Sequence, residues 1–126
     1  MTQKELYEFL KSENFLQIDG IWYSNTNKKI SYPSDAHEDC FNIEEKSFWF
    51  NHRNNIIKSI IKKHSPKELF FDIGGGNGYV TKSIESINIP TVLVEPGHNG
   101  AKNAKKRNIS NILCASLDDI TGLDEK

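Results

Sequence analysis

A run of glycines in the middle of the chain has the composition of a loop that holds a ligand against bare backbone. Asp72 is followed by four glycines, Gly74, Gly75, Gly76 and Gly78. Glycine accepts positive φ in a tight turn, and without a Cβ it lets a ligand approach the main chain. The apolar run Glu68–Ile73 precedes the loop and a helical pattern follows it. The loop is therefore expected at the carboxyl end of a strand, where α/β sheets bind ligands.

The spacing and charge of this loop favour S-adenosylmethionine (SAM) over a dinucleotide. The dinucleotide fingerprint G-x-G-x-x-G would need a glycine at position 79, which is Tyr79. A carboxylate at Asp72 does not suit a pyrophosphate, whereas it suits the α-ammonium group at the methionine end of SAM. We therefore expect SAM as the cofactor, and Tyr79 counts against a nicotinamide-dependent oxidoreductase.

The elements that would position the loop alternate between strand and helix after residue 68. The pattern predicts three strands and two helices, in the chain order Glu68–Ile73, Tyr79–Ile87, Thr91–Glu95, Asn99–Arg107 and Asn111–Ala115. Such alternation implies right-handed crossovers and a parallel sheet. The predicted fold class is α/β, with a Rossmann-like parallel sheet and flanking helices.

A small N-terminal helix and hairpin region is expected before this sheet. It comprises a helix over Thr2–Leu16, a turn at Asp19-Gly20, a hairpin of Ile21–Ser24 with Lys29–Tyr32, and a loop over Pro33–Asp39. Asn42 with Glu45 has the capping-box pattern, so a long helix is predicted from Asn42 to about His64. We accordingly divide the chain into an N-terminal region, residues 1–41, and a SAM-binding domain, residues 42–126.

Three segments resemble elements of the class I (Rossmann-like) SAM-dependent methyltransferases. Phe70–Tyr79 looks like motif I, an acid followed by G-x-G-x-G, and Val92–Glu95 is similar to a strand whose final acid binds both ribose hydroxyls. Ile112–Asp118 resembles the segment that flanks the adenine. The resemblance covers residues from about 42 to 120. It implies these cofactor-binding residues: Asp72, Gly74, Gly75, Gly76, Gly78, Glu95, Pro96, Ser116 and Leu117.

A fourth segment, Ser47–Asn54, reads S-F-W-F-N-H-R-N and is similar to a stretch before motif I in some small-molecule methyltransferases. There an arginine can reach the SAM carboxylate, a role that the resemblance implies for Arg53. Phe48, Trp49 and Phe50 are interpreted as residues that pack the helix on the sheet. The implied reaction transfers a methyl group from SAM to a small-molecule acceptor, with the catalytic residues unassigned. The alternative is a non-catalytic module that binds SAM or a nucleotide.

Composition and charge exclude several other classes. The net charge of −1 lacks the basic surplus of a nucleic-acid-binding protein. The apolar runs are too short to cross a membrane, and the polar N-terminus does not resemble a signal peptide. Cys40 and Cys114 are far apart, which predicts no disulfide framework and a reducing cytoplasm.

No metal is expected, because the adjacent side chains of His37–Cys40 do not converge easily on one ion. The cations at the end of the last helix, including Arg107, are interpreted as a solvated face.

The chain of 126 residues is short for this family, whose sheet has seven strands. With three predicted parallel strands, the second half of the family's fold is absent, so we expect a fragment or a truncated product. A parallel sheet is normally covered on both faces, and its free edge can pair with another chain. We therefore expect either marginal stability or self-association through the exposed edge.

Overall fold

One five-stranded sheet organises the computed structural model, which describes residues 1–25 and 34–125. The strands are β1 (Leu16–Ile18), β2 (Ile21–Tyr23), β3 (Phe70–Ile73), β4 (Thr91–Val94) and β5 (Ile112–Cys114). The helices are α1 (Gln3–Ser12), α2 (Ser34–Glu44), α3 (Phe48–Lys63), α4 (Tyr79–Glu85) and α5 (His98–Lys106), followed by a 3₁₀ segment, Leu117–Glu125. The sheet is mostly parallel and flanked by helices, so the expected α/β class is confirmed at this level.

The strand order is β1-β2-β5-β4-β3. Strands β3, β4 and β5 are parallel, as predicted, with Phe70 opposite Thr91 and Leu93 opposite Ile112. Strand β4 is buried along its whole length because it lies between two parallel neighbours. Strand β3 lies at one edge of the described sheet, whereas β5 is covered on its outer side by β2.

The N-terminal helix is shorter than predicted. Thr2 caps α1 with a capping box, and Leu6, Phe9 and Leu10 are buried on one face. The helix ends at Ser12 rather than Leu16. The chain leaves the helical conformation at Asn14, which has φ +59°, a conformation that asparagine tolerates better than most residues.

The hairpin that the structure contains differs from the predicted one. Strands β1 and β2 pair antiparallel around Asp19 and Gly20, which have φ +51° and +79°. The predicted turn at these two residues is therefore the hairpin turn itself. The predicted partner strand Lys29–Tyr32 lies outside the described residues. The outer strand is instead Leu16–Ile18, which had been assigned in part to the preceding helix.

The long helix predicted from Asn42 to His64 is wrong, because the chain forms two helices there. Residues 34–39, predicted as loop, belong to α2, which continues through Asn42 to Glu44. The last turn of α2 closes with Lys46 N donating to the carbonyl of Ile43. Ser47 then caps α3, since its Oγ accepts from the amide of Phe50. The serine is a competing N-cap that satisfies a free amide of the new helix.

Contacts cross the boundary that was drawn between residues 41 and 42. Strand β2 pairs parallel with β5. Leu6 and Phe9 of α1 share a buried cluster with Val92 and Leu113 of the sheet. Helix α2 packs against α5. The N-terminal elements thus bury part of the sheet that carries the glycine loop, while the division into two regions stays a prediction.

Within residues 1–25 and 34–125, no helix is both long enough and apolar enough to span a membrane.

Candidate functional site

The glycine loop after β3 contains two glycines that face open space and two that are packed. Gly74, Gly76 and Gly78 have φ of +72°, +57° and +78°. A Cβ at Gly74 would meet nothing within 4 Å, and one at Gly76 would meet only a His37 ring nitrogen at 4.0 Å. A Cβ at Gly78 would lie 3.0 Å from Ala104. Gly74 and Gly76 thus offer bare backbone to a ligand, whereas Gly78 is required for packing.

Asp72, the acid before the loop, is held in a fixed position under it. Its Oδ2 accepts a hydrogen bond of 2.6 Å from the hydroxyl of Thr81. A Cβ at Gly75 would overlap both the Asp72 carboxylate and Leu93. Glycine at position 75 therefore lets the carboxylate lie against the loop.

Glu95, the acid after β4, ties two loops together. Its Oε2 accepts from the amide of Gly76 and its Oε1 from the amide of Gly97, each at 2.8 Å. The side chain is only 5% exposed. Charge-assisted bonds from backbone amides stabilise a buried carboxylate. Glu95 therefore orders the edge at which the glycine loop and the β4–α5 turn meet.

Helix α2 brings His37 to this carboxylate, which the sequence analysis did not anticipate. Nε2 of His37 lies 3.5 Å from Oε1 of Glu95. The ring packs closely on Gly97 and Gly100, because a Cβ at these positions would lie 2.6 Å from Nε2 and 3.0 Å from Cε1. The two glycines at the start of α5 were the available sequence signal, since they leave room for a side chain from elsewhere.

Asn77 links α2 to the glycine loop through its buried side-chain amide. Nδ2 donates to the backbone carbonyl of His37 at 2.6 Å and to the Glu44 carboxylate at 2.9 Å. Oδ1 accepts from the side chain of Asn103 in α5 at 3.1 Å. The one residue of the loop that is not a glycine between Gly74 and Gly78 is thus a structural anchor.

Arg107 completes this anchor and corrects its assignment to a solvated face. Its Nη1 donates to Glu44 and to the carbonyl of Asn77, both at 3.0 Å, and the residue is 8% exposed. The guanidinium lies 4.5 Å from the ring centroid of Phe41 and 5.0 Å from that of Tyr79. Stacked aromatic rings and a buried carboxylate are the environment in which arginine is preferred over lysine.

An open cavity of about 450 Å³ lies at the carboxyl ends of β3 and β4. Among the predicted cofactor residues, it brings together Asp72, Gly74, Gly75, Gly76, Glu95 and Pro96. Helix α3 contributes Phe50 and Arg53 to the same wall. The Arg53 guanidinium lies 4.9 Å from the centroid of the Phe50 ring, and its Nε is buried without a hydrogen-bond partner in the described part of the chain.

Three predicted site residues lie outside this cavity. Gly78 is buried beneath the loop, as its packing requires. Ser116 donates from its amide and its hydroxyl to the Asp119 carboxylate at 2.8 and 2.9 Å, closing a turn after β5. Leu117 is 57% exposed. The predicted adenine-binding residues are therefore placed beyond the region where the other predicted residues converge.

Two groups at the edge of the site have pKa values above the ordinary range. Burial is the main cause that raises the pKa of the Cys114 thiol to about 11, and the nearby Glu95 carboxylate adds to the shift. Burial also raises the pKa of the Tyr79 hydroxyl, with a further contribution from Glu45. Both groups are accordingly neutral at physiological pH. In the described ranges, no group of three or more His, Cys, Asp or Glu side chains could hold a metal ion.

No protein-family model matches this chain, and no curated protein matches it. The resemblance to class I methyltransferases therefore stays a prediction from the sequence motifs.

Proposed function

We propose that the cavity binds SAM and that the chain is a class I SAM-dependent methyltransferase, or the SAM-binding part of one, with a Rossmann-like fold. The observation that carries this proposal is the meeting of Asp72, Glu95 and the two open glycines, Gly74 and Gly76, around one cavity. Carboxylates at the ends of adjacent parallel strands, with bare backbone between them, suit a ligand that has both an ammonium group and a ribose.

The charged groups of the cavity fit the methionine end of SAM. Asp72 offers a carboxylate to the α-ammonium group. Arg53 lies on the same cavity, and its buried Nε calls for an acceptor, which the α-carboxylate of SAM would supply. A ligand that carries both charges on one carbon satisfies both protein groups, whereas a pyrophosphate would be attracted by Arg53 and repelled by Asp72.

The ribose end is supported by the remaining hydrogen-bonding capacity of Glu95. Each of its oxygens accepts one backbone amide, and a carboxylate oxygen can accept two hydrogen bonds. A ribose hydroxyl can therefore still donate to either oxygen. Pro96, which follows Glu95, also lines the cavity. The adenine end rests on the resemblance of Ser116 and Leu117 alone.

Bound SAM supplies a methyl group that its positive sulfur makes electrophilic. The part of this chain would be to bind the two charges of the methionine end, hold the ribose, and exclude water from the cavity, so that an acceptor meets the methyl group in line. The proposed acceptor is a small molecule, and we assign no base. We propose the cytoplasm as the compartment, because Cys40 and Cys114 are both free thiols.

A second candidate is a non-catalytic module that binds SAM or a nucleotide. The observation that favours it is the engagement of Glu95, whose two oxygens accept from the backbone amides of both loops. In this interpretation the site is primarily a binding and ordering device. The two candidates differ in whether bound SAM is consumed in the presence of small-molecule nucleophiles.

A thermal-shift screen with SAM, S-adenosylhomocysteine and NAD tests the proposal. A ligand that binds only the folded state raises the free energy of unfolding by about 2.7 kcal/mol when its concentration is one hundred times its Kd. We expect both adenosyl ligands to raise the melting temperature and NAD to leave it unchanged. Arg53→Gln should reduce the shift, whereas Lys4→Gln, an exposed change on α1, should not. A shift with NAD alone would overturn the proposal.

A further inference from the structure

Helix α2 places a buried imidazole beside the carboxylate of the proposed ribose site. His37 and Glu95 are 6% and 5% exposed, and both line the cavity. The ring is held by its packing on Gly97 and Gly100. The backbone of the same residue is fixed by Asn77, whose Nδ2 donates to its carbonyl at 2.6 Å. The imidazole is therefore a positioned group of the cavity wall.

The distance between the two side chains matches the span of a pair of groups that share one bridging atom. Nε2 of His37 is 3.5 Å from Oε1 of Glu95, longer than the roughly 2.7–2.9 Å of a charge-assisted N–H···O bond. An oxygen to one side of that line can lie about 2.7–3.0 Å from both atoms. A hydroxyl suits this position because it can donate to Glu95 and accept from the imidazole at the same time.

We propose that His37 is a second ribose-binding residue. Its Nε2–H donates to the oxygen of one ribose hydroxyl, and the same hydroxyl donates to Oε1 of Glu95. This inference rests on the proposed function of the cavity. One ribose hydroxyl bridges His37 and Oε1 of Glu95, and the neighbouring hydroxyl donates to Oε2. The pair selects a ribonucleoside over a deoxynucleoside, because without the bridging hydroxyl both groups face a gap.

Calorimetry with S-adenosylhomocysteine and its 2′-deoxy and 3′-deoxy forms tests the inference. Two substitutions of similar volume separate hydrogen bonding from packing: His37→Met removes the donor, and His37→Gln keeps an N–H. The wild-type chain should bind S-adenosylhomocysteine much more tightly than one of the deoxy forms. His37→Met should weaken the binding of S-adenosylhomocysteine about tenfold and leave the affinity for that deoxy form unchanged. The ratio of the two affinities should therefore fall by the same factor.

His37→Gln should retain most of the wild-type ratio, and His64→Ala, an exposed histidine at the end of α3, should retain all of it. Circular dichroism establishes that each variant is folded. If His37→Met loses affinity equally for all three ligands, or for none, the inference is overturned while the proposed SAM site stands. If the wild-type chain binds no adenosyl ligand, the proposed function and this inference both fall.

Discussion

The guanidinium of Arg107 lies 3.0 Å from the carboxylate of Glu44, and this buried ion pair fastens α2 to α5 beside the glycine loop. Both side chains are less than a tenth exposed. Arg107 also donates to the carbonyl of Asn77, so the pair holds the loop itself. The wall of the cavity that α2 forms therefore depends on an electrostatic contact between residues far apart in the sequence.

Replacing Arg107 with methionine should destabilise the chain by about 3–5 kcal/mol, because it leaves the Glu44 charge buried without its partner. Urea denaturation followed by circular dichroism measures this change. The double substitution Arg107→Met with Glu44→Gln should recover part of the loss, since no isolated charge remains. Lys106→Met is the control on the same helix, where the side chain is exposed. A loss of less than about 1 kcal/mol in Arg107→Met would show that the pair does not hold α2.

Glu95→Ala should weaken SAM binding by about 1–3 kcal/mol, the range for hydrogen bonds to a charged group. The same change removes the acceptor of the Gly76 and Gly97 amides, so we also expect lower stability. Isothermal titration calorimetry measures the affinity, and thermal unfolding measures the stability. Glu8→Ala, an exposed substitution on α1, is the control. Unchanged SAM affinity in Glu95→Ala would remove Glu95 from the site.

Gly74→Ala and Gly78→Ala should separate a ligand glycine from a packing glycine. Both residues have positive φ, which costs alanine about 1–2 kcal/mol. Only Gly78 also brings the new methyl to 3.0 Å from Ala104, which adds about 1–3 kcal/mol of overpacking. Gly78→Ala should therefore lower the free energy of unfolding more than Gly74→Ala does. Relative to its loss of stability, Gly74→Ala should show the larger loss of SAM affinity. Equal effects on both quantities would contradict the assignment.

The raised pKa of Cys114 predicts a loss of stability in alkaline solution. Its folded-state pKa is about 11, above the ordinary value of 9.0. Between these values the unfolded thiol ionises and the folded thiol does not, so the free energy of unfolding falls as pH rises from about 9 to 11, by up to about 2–3 kcal/mol. Denaturation at several pH values under reducing conditions measures the slope. Cys114→Ala should have a flatter slope than the wild-type chain.

The free edge of β3 predicts concentration-dependent self-association. Strand β3 lies at one edge of the described sheet, and Ile73 at its end is 45% exposed. A charged residue on an edge strand opposes pairing with another chain. Ile73→Lys should therefore shift sedimentation-velocity profiles towards the monomer. Ile56→Lys, a change of the same kind at a 48% exposed position on α3 and away from either sheet edge, is the control and should leave association unchanged. A wild-type chain that is monomeric at all concentrations would refute this prediction.

The parallel part of the fold and the centre of the site could be predicted from the sequence because their signals are local. A few neighbouring residues are enough to predict the conformation of the β-branched run Thr91–Val94 and of the loop Asp72–Gly78. Alternation of strand and helix then requires the carboxyl ends of β3 and β4 to meet at one edge. Asp72 and Glu95 had to come near each other for that reason.

The division between α2 and α3 was decided by a competition that the sequence pattern leaves open. Asn42 and Ser47 can both cap a helix, and the capping-box pattern favoured Asn42. In the folded chain α2 continues through Asn42, which keeps Glu44 within reach of Arg107. The packing of α2 on α5 favours the observed arrangement, in which Ser47 is the cap of α3.

The sequence by itself determined the α/β alternation, the glycine loop and the two strand-end acids. The tertiary structure decided that His37, Glu44 and Arg107 come together beside the glycine loop, and that Ser116 and Leu117 lie outside the cavity. The physical reason is the range of the forces involved. Backbone conformation and strand burial depend on neighbours in the chain, whereas a buried ion pair or an imidazole against two glycines forms only when distant helices pack.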